Sequence, residues 1–178
     1  MKTAFFSAII ILSISFSANA SHTYNNEQLN ARYTKVDSTS PLSQWLSLYY
    51  DLKNALVNSD ATAAATKAGA LLSAIDKTDT KTLSAADQKT LTALVPKLTF
   101  DARHISEVKD INHQREHFAS LSLNMAALAK ATKLSTQPIY KEYCPMKKAY
   151  WLSNESAIQN PYFGNQMLTC GQVTETIK

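Results

Sequence analysis

The sequence predicts an all-α protein: an antiparallel four-helix bundle with an irregular Cys/Met/aromatic-rich C-terminal segment packed on it. Three observations carry this. Apolar residues recur at helical spacing in four separate windows. Ser40, Asp60 and Ser84 stand just ahead of three of those windows, where N-caps belong. Only 3 of the 178 residues are glycine, while Ala, Leu and Lys are abundant, a balance that favours helices over a multi-stranded sheet.

The first twenty residues read as a signal peptide. Lys2 gives a positive start, Ala4 to Phe16 is an apolar run broken only by small serines, and Ala18-Asn19-Ala20 offers the small-x-small pattern of a cleavage site. Cleavage is expected after Ala20, delivering the chain to the periplasm or another exported location. The apolar run is short for a membrane span, which needs roughly 20 residues. No comparable run follows, so no membrane span is expected in the mature chain. Residues 21–39 are polar and unpatterned, the composition of a flexible leader.

The remaining residues, 40–178, read as a single helical domain, with a bundle over 40–135 and a motif segment over 139–178. Ser40-Pro41 is an N-cap followed by proline at the first helical position. Leu42, Trp45, Leu46, Tyr49, Leu52 and Leu56 then mark a helix near 41–58. Asp60 caps a second, alanine-rich helix with the stripe Ala64, Ala68, Leu71, Leu72 and Ile75. Ser84 with Asp87 resembles a capping box for a third. Its apolar side carries Leu91, Leu94, Val95, Leu98, Ala102, Ile105 and Val108, and Pro96 inside it should kink or interrupt it. A fourth helix, about Asn112 to Lys133, turns Phe118, Leu121, Met125 and Leu128 inward. Short links between the helices favour an antiparallel bundle.

The formal charge of +4 comes from lysines spread among acids and threonines, such as Lys67, Lys77, Lys81, Lys89, Lys97 and Lys109. Nucleic-acid binding calls for a clustered basic face, and none is present in the pattern. Enzymatic readings find no support either. Neither cysteine is accompanied by a glycine loop that could hold an oxyanion, although His117 is a conceivable base for Cys144. A redox role would prefer a CxxC spacing, and phosphate-binding glycine motifs are absent. The expected class is a non-enzyme.

Beyond Pro138 the composition changes. Residues 139–178 hold both cysteines, two of the four methionines, Trp151, four of the eight tyrosines and two of the five prolines. Cys144 and Met146 straddle Pro145, and in extended chain residues i and i+2 face one side. Met167 and Cys170 are three apart, one helical turn. Asn160-Pro161 and Gly164 are turn residues that let the intervening loop double back. Two short sulfur pairs can thus close on one ion, and thiolate with thioether selects Cu(I) or Ag(I) over hard cations. The competing reading is a Cys144–Cys170 disulfide in an oxidising compartment, stapling a helical interaction module that holds no metal. Spacing alone favours the disulfide; the methionine beside each cysteine tips the reading toward metal. The two can coexist if metal binds only the reduced form.

His113 and His117 sit at i, i+4 on the fourth helix, a spacing able to chelate one ion. His113 is most simply a surface residue, whereas His117 is a candidate extra ligand should the C-terminal segment pack over that helix. His104 reads as surface and His22 lies in the leader. Trp151, Tyr162 and Phe163 suit a hydrophobic clasp seating the segment.

Three stretches carry a resemblance: YYDLKNALVNSD at Tyr49 to Asp60, QREHFASLS at Gln114 to Ser122, and CPM…WLS…NPYFG..M..CG from Cys144 to Gly171. Over residues 43–176 the chain resembles a small bacterial domain of unknown function. That domain is found alone in exported proteins and appended to periplasmic adaptor subunits of copper and silver efflux pumps. The resemblance implies a helical periplasmic domain tied to heavy-metal handling, with an efflux adaptor or another periplasmic protein as partner. Such sequences often carry glycine before the aromatic-WLS element, where this chain has Ala149, which puts the loop geometry in question.

Overall fold

The computed structural model describes residues 40–178; the signal peptide expected over residues 1–20 and the leader expected over 21–39 lie outside the described residues. Four helices come first in the chain: α1 (Pro41–Val57), α2 (Ala61–Lys77), α3 (Ala85–Glu107) and α4 (Ile111–Ala131). Each begins at a side chain that accepts a hydrogen bond from a first-turn N–H: Ser40, Asp60, Ser84 and Asp110. Pro96 leaves α3 unbroken. It removes one donor from the helix interior, and three residues on Thr99 Oγ1 donates to the Val95 carbonyl at 2.9 Å.

The expected stripes form the core. Trp45, Leu46, Tyr49, Leu52, Leu56, Ala64, Ala68, Leu71, Leu98, Ala102, Ile105, Phe118, Leu121 and Leu128 are all buried. Successive helices pack on one another, α1 on α2, α2 on α3 and α3 on α4, while α1 and α4 meet more lightly. Residues 40–178 belong to one compact unit.

The all-α expectation is overturned in the tail. Residues expected to be irregular form a three-stranded antiparallel sheet of β1 (Ile139–Cys144), β2 (Ala149–Ser153) and β3 (Gln172–Ile177), in the order β2-β1-β3. The architecture is therefore mixed, a helical bundle with a sheet laid against it. β2 lies along α4 and contributes the fully buried Trp151 and Leu152. Its Leu152 N–H donates to Tyr49 Oη at 3.0 Å, and the same hydroxyl shares a 2.7 Å hydrogen bond with Ser122 Oγ of α4. Tyr49 also stacks on Phe118 with ring centroids 5.3 Å apart. The sheet thus seats on the seam between α1 and α4.

Ala149 lies in regular extended pairing with Cys144, so the strand has no need of glycine there. The left-handed residue of the β1–β2 turn is Lys148, with φ 56°.

Candidate functional site

β1 ends at Cys144, and Pro145–Lys148 turn the chain back, closed by the Lys148 N–H donating to the Cys144 carbonyl at 2.8 Å. Because the turn starts immediately after Cys144, that side chain points into the core while Met146 stands 63% exposed. The same-side arrangement expected of an extended Cys-Pro-Met does not hold. On the other edge of β1, Tyr143 pairs with Gln172, which brings the residues just before β3 alongside Cys144. Cys170 arrives there out of a tight turn in which its N–H donates to the Met167 carbonyl at 3.0 Å.

Both thiols are free, Cys144 fully buried and Cys170 partly exposed. They are neighbours, close enough for the Cys144 sulfur to bear on the Cys170 thiol. Cys144 Sγ accepts the Lys147 N–H at 3.4 Å. The turn after β1 therefore places a peptide N–H on the Cys144 sulfur, and its Met146 backbone bears favourably on Cys170. Partial desolvation, followed by the neighbouring Cys144 sulfur, nonetheless holds the Cys170 thiol above its usual pKa. A cation bound there would displace the Cys170 proton. Met167 is 40% exposed, so both methionines reach solvent.

His117 is not part of this group. Its Nδ1 lies 3.2 Å from Asp101 Oδ1 on α3, and its ring stacks against His104 and meets His113 edge-on. Among the described residues no three His, Cys, Asp or Glu side chains stand already arranged to hold a metal ion.

The tail is held at a junction that residue spacing does not reveal. Arg115 of α4 is buried, and its Nε donates to the Pro161 carbonyl at 2.8 Å. Its Nη2 donates to the Leu56 carbonyl at 3.0 Å and to Ser59 Oγ at 2.9 Å. Ser59 is the left-handed residue (φ 57°) ending α1. There its N–H and the next bond back to the Leu56 and Ala55 carbonyls in a Schellman pattern. Gly164, at φ +55°, fits against this junction; a Cβ there would fall 2.5 Å from Ser59 Oγ and 2.8 Å from the Val57 carbonyl. The three sequence stretches that carry the resemblance thus meet at one guanidinium. Asn160 extends the fastening to the cysteines, its Nδ2 donating to the Cys170 carbonyl. Tyr162 donates to the Tyr150 carbonyl and packs edge-on against Trp151, while Gly171 leaves room for the Trp151 ring, which a Cβ would approach to 2.7 Å.

Residues 46–137 match the model of a family described as a protein of unknown function, DUF3347. The match spans most of the helical bundle and stops short of β1, so the cysteine pair lies beyond it. No curated protein and no solved structure matches the chain. No described helix is long and apolar enough to cross a membrane.

Proposed function

The chain belongs to the DUF3347 family, and from that premise we propose that it is an exported, non-catalytic module that binds a soft metal ion, Cu(I) or Ag(I), through Cys144 and Cys170. The observation that carries this is the adjacency of two free thiols across the β1–β3 pairing, with the Pro145–Lys148 turn donating the Lys147 N–H to the Cys144 sulfur. The donors suit the cargo, since thiolates prefer a soft monovalent ion. On binding, the two thiols lose their protons, and the Lys147 N–H at Cys144 offsets part of the added negative charge. Met146 and Met167, exposed and each within three residues of a cysteine in the chain, would meet an incoming ion with thioether sulfur. Export rests on the residues before Ala20, and metal traffic rests on the resemblance to domains appended to efflux adaptors, which names the class of partner.

Titration of reduced protein with Cu(I) against a competing chelator tests the reading. Tight binding of one equivalent is expected, lost in Cys144→Ser/Cys170→Ser. Equal uptake by the wild type and this double variant would sink it.

The same adjacency favours a second reading, in which Cys144 and Cys170 close a disulfide and the chain serves as a stapled interaction module. Such a staple would contribute roughly 3 kcal/mol in the chain-entropy view. Counting thiols under denaturing, non-reducing conditions, in protein taken from its own compartment, separates the two. Two thiols favour the metal reading, and none favours the staple.

A further inference from the structure

Away from the sulfur pair, three of the chain's four histidines gather where α3 packs on α4. The His104 and His117 rings lie with centroids 4.6 Å apart, and those of His113 and His117 lie 4.9 Å apart. Two of the rings have a committed nitrogen. His104 Nδ1 is 3.0 Å from the Phe100 carbonyl, and His117 Nδ1 is 3.2 Å from Asp101 Oδ1. A carbonyl only accepts, and so does an ionised carboxylate, so a neutral ring in either place carries its proton on Nδ1 and presents a bare lone pair at Nε2. This is how ligating histidines are held: the far nitrogen donates to a carboxylate or a backbone carbonyl, fixing the tautomer. Asp101 is 3% exposed, a buried carboxylate that gains from positive charge on the ring it holds.

Spacing agrees with this reading. Two imidazoles sharing one ion, each nitrogen about 2.1 Å from it at a near-tetrahedral angle, keep their ring centroids about 5 Å apart. Both observed separations are close to that. The ring planes are not yet aimed at a common point: His104 and His117 are inclined by only 26°, a stacked arrangement that a χ2 rotation of His104 would open. His113, the most exposed of the three, stands one turn earlier on α4 with its Nδ1 3.8 Å from Glu116 Oε2, a surface contact it would exchange for the ion.

We propose that His104 and His117, with His113 as third ligand, form a second metal site, independent of the sulfur pair and specific for a borderline divalent cation of the zinc, nickel or copper(II) class. Imidazole suits these ions, whereas paired thiols suit Cu(I). Asp101 acts as a positioning residue, orienting His117 from beneath.

Zinc chloride titrated into the purified chain, with histidine side chains followed by nitrogen-15 NMR, tests the proposal. The Nε2 signals of His104 and His117 should move together while their Nδ1 protons persist. His104→Gln, at a half-exposed position, should weaken the zinc response by at least about tenfold, and Asp101→Asn by about tenfold. The response should survive in Cys144→Ser/Cys170→Ser. Zinc that perturbs only the cysteine resonances of the wild type, or that binds His104→Gln as tightly as the parent, would overturn it.

Discussion

Arg115 Nε donates to the carbonyl oxygen of Pro161 at 2.8 Å, and that bond fastens the sheet-bearing tail to the helices. Replacing Arg115 by methionine strands the Pro161 and Leu56 carbonyls away from water. A loss of about 3 kcal/mol in urea unfolding is expected. Arg115→Lys should recover little, because one ammonium cannot reproduce the planar fork that reaches three acceptors. A loss under 1 kcal/mol for the methionine variant would mean that the tail is seated by other contacts.

Gly164→Ala should cost about 2–3 kcal/mol, since its Cβ collides with Ser59 Oγ and the Val57 carbonyl at a backbone angle that disfavours a side chain. Combined with Arg115→Met the loss should be clearly less than the sum, because both act on one junction. Strict additivity in a double-mutant cycle would argue that the two positions are independent.

The two left-handed non-glycine residues should respond oppositely to glycine. Lys148→Gly relieves a strained turn, and a gain of about 0.5–1 kcal/mol is expected. Ser59→Gly relieves the same strain but deletes the hydroxyl that accepts from Arg115, so it should be neutral or destabilising. Thermal unfolding of the two variants side by side decides this.

Glu142 gives the fold an unusual pH dependence. Its carboxyl is fully buried with neither oxygen hydrogen-bonded, and burial pushes its pKa up from 4.5 to about 7, against the partial relief of nearby Lys53. Below pH 4.5 the group is protonated both folded and unfolded and costs nothing. Between 4.5 and 7 only the unfolded chain ionises, so stability falls as pH rises, by on the order of 3 kcal/mol, and then levels off. Lys53, pulled down by burial, is left unpaired if Glu142 alone is changed. Lys53→Met/Glu142→Met should therefore flatten the slope between pH 5 and 7 and be at least as stable as the parent at pH 8. A parent whose urea midpoint does not fall over that interval would contradict the burial argument.

If the thiols take up Cu(I) by releasing protons, apparent affinity should rise roughly tenfold per pH unit for each proton released. Chelator competition at pH 6, 7 and 8 measures this. A flat profile would point to capture by the thioethers of Met146 and Met167 instead.

The helical half of the fold is legible in the sequence because each helix buries a stripe at the right period and starts at a capping side chain: Leu42 through Leu56 behind Ser40, and Ala64 through Ile75 behind Asp60. The sheet is hidden for three different reasons. In β1 the alternation is spoiled by Glu142, a charged residue facing the core. In β2 three consecutive residues, Trp151, Leu152 and Ser153, are buried, which erases the two-residue period. In β3 most side chains face solvent, so apolar patterning has nothing to mark. The cysteines are visible as a pair, but their adjacency depends on β1–β3 pairing, which residue types do not encode. The histidine cluster has a signal of its own. A three-residue link joins α3 to α4, so positions equidistant from Asp110 fall opposite one another, and His104 and His117 are nearly so placed.

β1 is the middle strand, and β3 is bound to it on one side only, largely by backbone pairing with help from Thr174 Oγ1 donating to the Lys141 carbonyl and the 2.7 Å Lys130–Glu175 ion pair. Edge elements with exposed hydrogen bonds open at a small fraction of the global unfolding free energy. Cys170 reaches Cys144 only while β3 stays zipped. Whatever the two sulfurs share, an ion or a covalent bond, its lifetime is coupled to the breathing of that strand: an ion could escape each time the strand frays, whereas a disulfide would stop the fraying altogether.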